Sequence, residues 1–302
     1  MRFIFFLLLI TLHLHASEVP ADRVENLQLQ IYLDQKGFSP GVLDGKMGTY
    51  TRKAIAAYNK KFGFDEGDID SAKLKAISAV PNVFATAIVP EFAHDYVDTN
   101  FKHGDDRNYQ ATRRDMPYRS ISEFMAERYH TSIDLLKLLN EPKSVANAAK
   151  HSALIVPNVP AFQIENLAEG RSHKKDALLS QRWAVIDTKA HQIRIYEPLE
   201  PNSPEPETTE ETLAPTELLN ISENAELPVT ARATIVEEDP EPTQQLSAYD
   251  EHRALIVAAY PITPGKPEFI RYGTWKMLNA VELPTWRYDA SLLKTGQRSK
   301  ES

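Results

Sequence analysis

The chain has 302 residues, 42% hydrophobic and 25% charged, a composition of soluble globular protein on a scale that exceeds one compact core. It contains no cysteine, which excludes disulfides, thiolate metal sites and a cysteine nucleophile. The formal charge of −8 is unevenly spread: residues 198–251 hold fourteen acidic residues against Arg232 alone, a local net of −13, and the rest carries 33 basic against 28 acidic residues, net +5. A mildly basic folded part suits an ordinary solvated surface, and it also suits a polymer that carries carboxylates.

Arg2 precedes the apolar run Phe3 to Leu12, and His13, Leu14, His15 and Ala16 lead into the polar Ser17 and Glu18. That is the pattern of a secretory signal peptide over residues 1–16, with cleavage expected after Ala16 and a mature protein in the periplasm or cell wall. The apolar run falls short of the roughly 20 residues that span a bilayer, so no stable membrane span is expected after cleavage. Leu14, third before the cut, is larger than usual there, which leaves an uncleaved anchor as the alternative.

Residues 22 to 36 set Val24, Leu29 and Leu33 among Glu25, Gln28, Gln30, Asp34 and Gln35, the spacing of a helix with one buried stripe. Gly37 ends it, and Phe38 is placed to fold back onto the stripe. The loop Ser39 to Gly48 follows, with Gly41, Gly45, Gly48 and Pro40 dictating defined turns. A second helix is expected from about Thr49 to Phe62, capped by Thr49 or Thr51, with Ala54, Ile55 and Tyr58 inward and Lys60 and Lys61 at its C-terminal dipole. A third stretch, Asp70 to Val80, starts with Asp70 or Ser71 as cap and presents Leu74, Ile77 and Ala76 or Val80 to the core.

The residues Leu29-Gln30, Leu33, Gly37-Phe38, Pro40-Gly41, Asp44-Gly45, Gly48, Thr51, Ala54 and Tyr58 carry a resemblance to the type-1 peptidoglycan-binding module, covering residues 22–80. Asn59 departs from the family pattern, which has glutamine there. Leu29, Leu33, Ile55 and Tyr58 read as core, and Asp44 as the residue that fixes the loop through backbone hydrogen bonds. The resemblance implies binding of glycan or stem peptide, with peptidoglycan as partner, and the exposed Lys46, Tyr50 and Arg52 near the loop as contact candidates.

Residues 81–118 show no sustained period and read as an ordered connector. His94 with Asp95, and His103 with Asp105 and Asp106, lack the recurring spacing of a metal site and read as solvated loop, so no metal is expected. Ile121, Phe124, Met125 and Tyr129 form one helical stripe and Leu135, Leu136, Leu138 and Leu139 a second, with Ser132 or Thr131 as cap and His130 as a turn residue. Leu154-Ile155-Val156-Pro157 reads as a short strand. Through Ala126, Tyr129, Ser132, Leu135, Leu138, Asn140 and Ile155-Val156-Pro157 this stretch, 119–160, resembles the later part of a LysM glycan-binding module without its first strand.

Trp183 to Asp187 and Gln192 to Tyr196 read as a β-hairpin. After the acidic, eight-proline segment 198–251, expected to be disordered, Leu255 to Gly265 and Tyr272 to Met277 read as further strands around a glycine turn. With Pro284-Thr285-Trp286 and Tyr288 these runs, 181–197 and 252–290, resemble the opening strands of an L,D-transpeptidase catalytic domain. That family uses a cysteine in a His-Gly-Cys-Arg motif, which these 302 residues lack. No catalytic residue is assigned. The alternative expectation is a truncated piece of an active cross-linking enzyme.

The expected fold class is thus α+β: an N-terminal three-helix module, a helical LysM-like middle, and an incomplete β-rich C-terminal part interrupted by the acidic insert. No nucleotide loop, zinc-protease helix motif or nucleic-acid patch is present, so neither a cofactor nor nucleic acid is expected.

Overall fold

The computed structural model of the chain describes residues 19–101, 109, 116–199, 254–278 and 280–283. The expected signal peptide, residues 200–251 of the acidic insert, His103, Asp105, Asp106, Pro284 to Trp286 and Tyr288 lie outside the described residues.

Three helices open the fold: α1 (Ala21–Gln35), α2 (Thr49–Phe62) and α3 (Ile69–Ala79). Burial on α1 is wider than one stripe, because Leu27, Leu29, Ile31 and Leu33 share one core with Leu135 and Ile155 of the middle region and Tyr196 and Ile256 further on. A helix wrapped by neighbours on several sides loses the polar face that gives a clean period. Gly37, at φ +81, ends α1 as expected, and the Phe38 amide donates to Leu33 O at 2.9 Å while its ring is fully buried.

Two expected caps differ. Gly48 occupies the N-cap of α2 with no side-chain bond, and Thr51 lies inside the helix, its buried hydroxyl donating to Lys46 O at 3.3 Å. Asp68 caps α3 instead of Asp70 or Ser71, accepting from the Ser71 amide at 3.0 Å. The face of α3 that enters the core is Ala72 and Ala76, whereas Leu74 and Ile77 are 67% and 54% exposed. Small residues there bring α3 close to α1, and bulkier ones are displaced outward.

The strand β1 (Phe84–Ile88) lies within the expected connector and pairs antiparallel with β2 (Ala153–Pro157), Phe84 opposite Pro157 and Ile88 opposite Ala153. Between them run a 3-10 turn at Glu91–Tyr96 and the helices α4 (Ile121–Arg128), α5 (Ile133–Leu139) and α6 (Pro142–Ala146). Ser120 caps α4 and Ser132 caps α5, accepting at 3.1 Å from Glu123 and Leu135. The period-2 alternation of β2 divides two cores: Leu154 and Val156 pack with Phe124, Met125 and Leu136, while Ile155 joins the cluster that includes α1, α2 and α3.

The hairpin of β3 (Trp183–Asp187) and β4 (Gln192–Pro198) is extended by β5 (Ala254–Pro261) into an antiparallel sheet of order β3-β4-β5. Its inner face, including Trp183, Val185, Tyr196, Ile256 and Ala259, joins the first core. The expected strand over Tyr272 to Met277 is absent, and Tyr272, Trp275 and Met277 are exposed. At Ala259 the backbone of β5 is engaged on both sides. One carries β4. On the other, Ser39 donates to Ala259 O at 2.8 Å and Ala259 to Gly37 O at 3.0 Å. The chain instead reaches the stretch 168–173, where the buried carboxylate of Glu282 accepts from Arg171 at 2.6 Å, His173 at 2.8 Å and the Ala168 amide at 2.7 Å. These donors, Arg171 first, hold the Glu282 carboxyl down at about 2.

Candidate functional site

The loop between α1 and α2 is assembled by Gln30, which is 1% exposed. Its Oε1 accepts from the Asp44 and Gly45 amides at 3.0 and 2.8 Å, and its Nε2 donates to Lys46 O at 3.0 Å and Thr51 Oγ1 at 3.1 Å. Asp44 closes its own turn by accepting from the Lys46 amide at 2.9 Å. Arg23 braces the same turn from α1, donating to Asp44 O at 2.9 Å. Gly45, at φ +72, passes so close to Arg23 that a Cβ there would lie 2.6 Å from Arg23 O. Gly48 differs: its φ is −84° and a Cβ would meet nothing, so no conformational demand for glycine exists there. Leu29, Leu33 and Tyr58 are core, Tyr58 sharing a 2.8 Å hydroxyl–hydroxyl bond with Tyr32. Asn59 is fully buried and donates to Asp65 O and Asp68 O, both at 2.8 Å, which ties α2 to the loop before α3.

Lys46, Tyr50 and Arg52 are all exposed. Tyr50 and Arg52, two apart on a helix, do not face each other. The neighbour of Tyr50 is Lys53, three residues on, whose ammonium stands 5.5 Å from the ring centroid and donates to Ala190 O of the β3–β4 turn. The i,i+3 spacing was the available signal for Lys53. Tyr50 also borders Gly41, which packs towards Pro261 at the end of β5. The first module thus presents an exposed aromatic ring with a tethered cation beside it.

The family-pattern loop is gripped from the middle region as well. Leu43 donates from its amide to His130 O at 2.8 Å, and Thr131 Oγ1 donates to Leu43 O at 2.6 Å. His130, at φ +54, turns its Nδ1 to Asp34 at 2.7 Å. This hydrogen bond raises the His130 pKa against the opposing effect of burial, with further help from the charges of Asp34 and Glu127. A folded-state pKa above the unfolded one gives stability that is full below about pH 6.5 and is lost as pH rises through the folded value. The variant His130→Asn keeps a residue type that tolerates positive φ. Its melting temperature is expected to fall below that of the wild type most at about pH 5, with the gap narrowing towards about pH 9. A gap independent of pH, measured by scanning calorimetry, removes the ion pair from the account.

Among the described residues, no group of three or more His, Asp or Glu is placed to hold a metal ion, and His94 and Asp95 are simply exposed. No helix among them is long and apolar enough to cross a membrane. A search of curated proteins finds no match to this chain. The family described as Putative peptidoglycan binding domain matches residues 24–77, the stretch from α1 through most of α3, and this match supports a peptidoglycan-binding role, with peptidoglycan as partner and an association with the cell wall.

Proposed function

We propose that the chain is an exported, non-catalytic peptidoglycan-binding protein related to the L,D-transpeptidases, in which residues 24–77 hold the polymer through the exposed side chains Lys46, Tyr50 and Arg52 around the loop. The observation that carries this reading is the exposed Tyr50 ring with the Lys53 ammonium beside it, on the stretch that matches the family. Rings flanked by cations suit a polymer of sugars and short acidic peptides. The fully buried core residues of the same stretch have no surface to offer. Export is supported by the pattern of residues 1–16.

The β1-α4-α5-α6-β2 arrangement, with two antiparallel strands flanking the helices, supports a LysM-like reading of the middle region and supplies a first strand that the sequence pattern lacked. The antiparallel β3-β4-β5 order supports kinship with the opening strands of an L,D-transpeptidase domain. It also favours the second reading, a part of a longer cross-linking enzyme. The coding sequence beyond codon 302 decides between them, because a downstream His-Gly-Cys-Arg in frame would establish the enzyme.

Purified protein incubated with insoluble sacculi is expected to co-sediment, and Tyr50→Ala combined with Arg52→Gln to cut retention about ten-fold, equivalent to about 1.4 kcal/mol. Both side chains are exposed, so the fold should be unaffected. Retention equal to that of an unrelated control protein would overturn the proposal.

A further inference from the structure

At the opposite end of α2 from Tyr50, three cations gather where α1, α2 and the sheet meet. Lys36 follows α1, Lys61 sits in the last turn of α2, and Arg182 precedes β3. The rise of a helix puts Lys61 about 16 Å along the axis from Tyr50, so this is a separate place on the surface. Lys36 lies 5.7 Å from the Tyr32 ring centroid, and Lys61 lies 5.8 Å from that of Phe38 and 5.5 Å from that of Phe62, which is 48% exposed. The phenol oxygen of Tyr260 borders Gly37 in the same corner.

The acids of this corner are already committed. Glu197 accepts from Arg182 at 2.7 Å, and Asp34 holds His130 at 2.7 Å. Among the described residues, Lys36 and Lys61 have no ion-pair partner.

One explanation without a ligand is that both lysines simply complement helix C-terminal dipoles. That explanation requires the ammonium of Lys61 to be favoured by its surroundings. The reverse holds: burial first, then the charges of Lys36 and Arg182, push the Lys61 pKa down, with only Glu197 opposing. The folded protein therefore bears a cost for keeping Lys61 charged beside Lys36 and Arg182, and an anion held between Lys36 and Lys61 would relieve it.

We infer that Lys36 and Lys61, with Arg182 beside them in its pair with Glu197, form over the exposed edge of Phe62 a second subsite that takes a free carboxylate of the peptidoglycan stem peptide. The inference rests on the wall-binding reading and deepens it, adding a charge-reading contact to the face of Tyr50. The long side chains around an aromatic floor suit the end of a short acidic peptide, and the Tyr260 hydroxyl, kept protonated by burial and by Asp34, stands nearby as a donor.

The test uses the whole chain with two soluble probes, a muramyl tripeptide with free carboxylates and the same compound with its carboxylates amidated, titrated by calorimetry alongside sacculus co-sedimentation. The wild type is expected to bind the free acid about five- to ten-fold more tightly than the amide. Lys61→Gln and Lys36→Gln should abolish that preference, while Lys137→Gln, an exposed lysine on α5 of the middle region, should leave it intact. Lys61→Gln should melt no lower than the wild type, because the charge it removes is disfavoured in the fold. Sacculus retention by the wild type together with equal affinity for acid and amide would overturn the subsite and leave the wall-binding reading standing. Absence of sacculus retention would overturn both. A preference that emerges only after deletion of residues 200–251 would assign the cations to the chain's own acidic stretch, and so overturn the assignment to stem peptide.

Discussion

Gly45→Ala is expected to destabilise the first module by about 3–5 kcal/mol, against about 1 kcal/mol for Gly63→Ala. Both glycines sit at almost the same left-handed backbone, φ +72 and φ +70, so the conformational cost of adding a side chain is shared. The surroundings differ. A Cβ at Gly63 would meet nothing within 4 Å, whereas one at Gly45 would stand 2.6 Å from both Arg23 O and Arg23 Cγ. The side chain of Arg23 could swing away, but its carbonyl belongs to α1, and moving it means parting α1 from the loop. That would also strain the bonds from the Asp44 and Gly45 amides to Gln30. Urea denaturation of the two variants against wild type is the measurement. A Gly45→Ala penalty no larger than that of Gly63→Ala would show that the loop gives way cheaply, and would refute the close approach to Arg23 as the reason for glycine there. Sacculus retention should fall with Gly45→Ala in proportion to the unfolded fraction, since the face of Tyr50 is built on the same loop.

The turn at Gly45 was legible in the sequence, but its close approach to Arg23, which sets it apart from Gly63, was not. What could be read was local. The helix boundaries of α1 and α2, the glycine stop at Gly37, the turn fixed by Asp44, and the hairpin of β3 and β4 all follow from spacing and turn chemistry within about fifteen residues. The peptidoglycan-binding module was legible for the same reason, because Leu29 to Tyr58 carry their own signal. Contacts between distant parts were not. The backbone of β5 at Ala259 is engaged by Gly37 and Ser39, a pairing across more than two hundred residues, and Tyr272 to Met277 pair with no strand among the described residues. The strand β1 escaped notice because its inward positions, Ala85 and Ala87, are too small to give apolar contrast against Thr86. Leu74 and Ile77 misled in the opposite sense, since apolar character at helical spacing marked the face of α3 that tight packing with α1 leaves outside. At the site, Tyr50 was readable as exposed, but its pairing with Lys53, and the tether of Lys53 to Ala190, depend on a turn more than a hundred residues away in the chain.

Gln30→Leu should cost about 3–4 kcal/mol, although it preserves size and helix propensity. The loss is one of satisfaction, not of packing. Gln30 serves five groups at the helix–loop junction: the Asp44 and Gly45 amides, Asp44 Oδ1, Lys46 O and Thr51 Oγ1. A leucine fills the space and removes a partner from each, leaving the Asp44 and Gly45 amides to face hydrocarbon, where each enclosed polar group without a partner costs about 1–3 kcal/mol. The total stays below the simple sum because Thr51 retains its bond to Lys46 O and the loop edge can admit water. Gln28→Leu provides the contrast: Gln28 is half-buried and makes one bond, to Val80 O at 2.8 Å, so its replacement should cost about 1 kcal/mol. Hydrogen exchange separates a local from a global effect. In Gln30→Leu the Asp44 and Gly45 amides should lose protection by more than the global destabilisation explains, while amides in the middle of α3 should follow global stability alone. If the Asp44 and Gly45 amides stay as protected as those of α3, Gln30 is an ordinary core residue, and the constancy of the loop must come from its grip on His130, Thr131 and Ala259 instead.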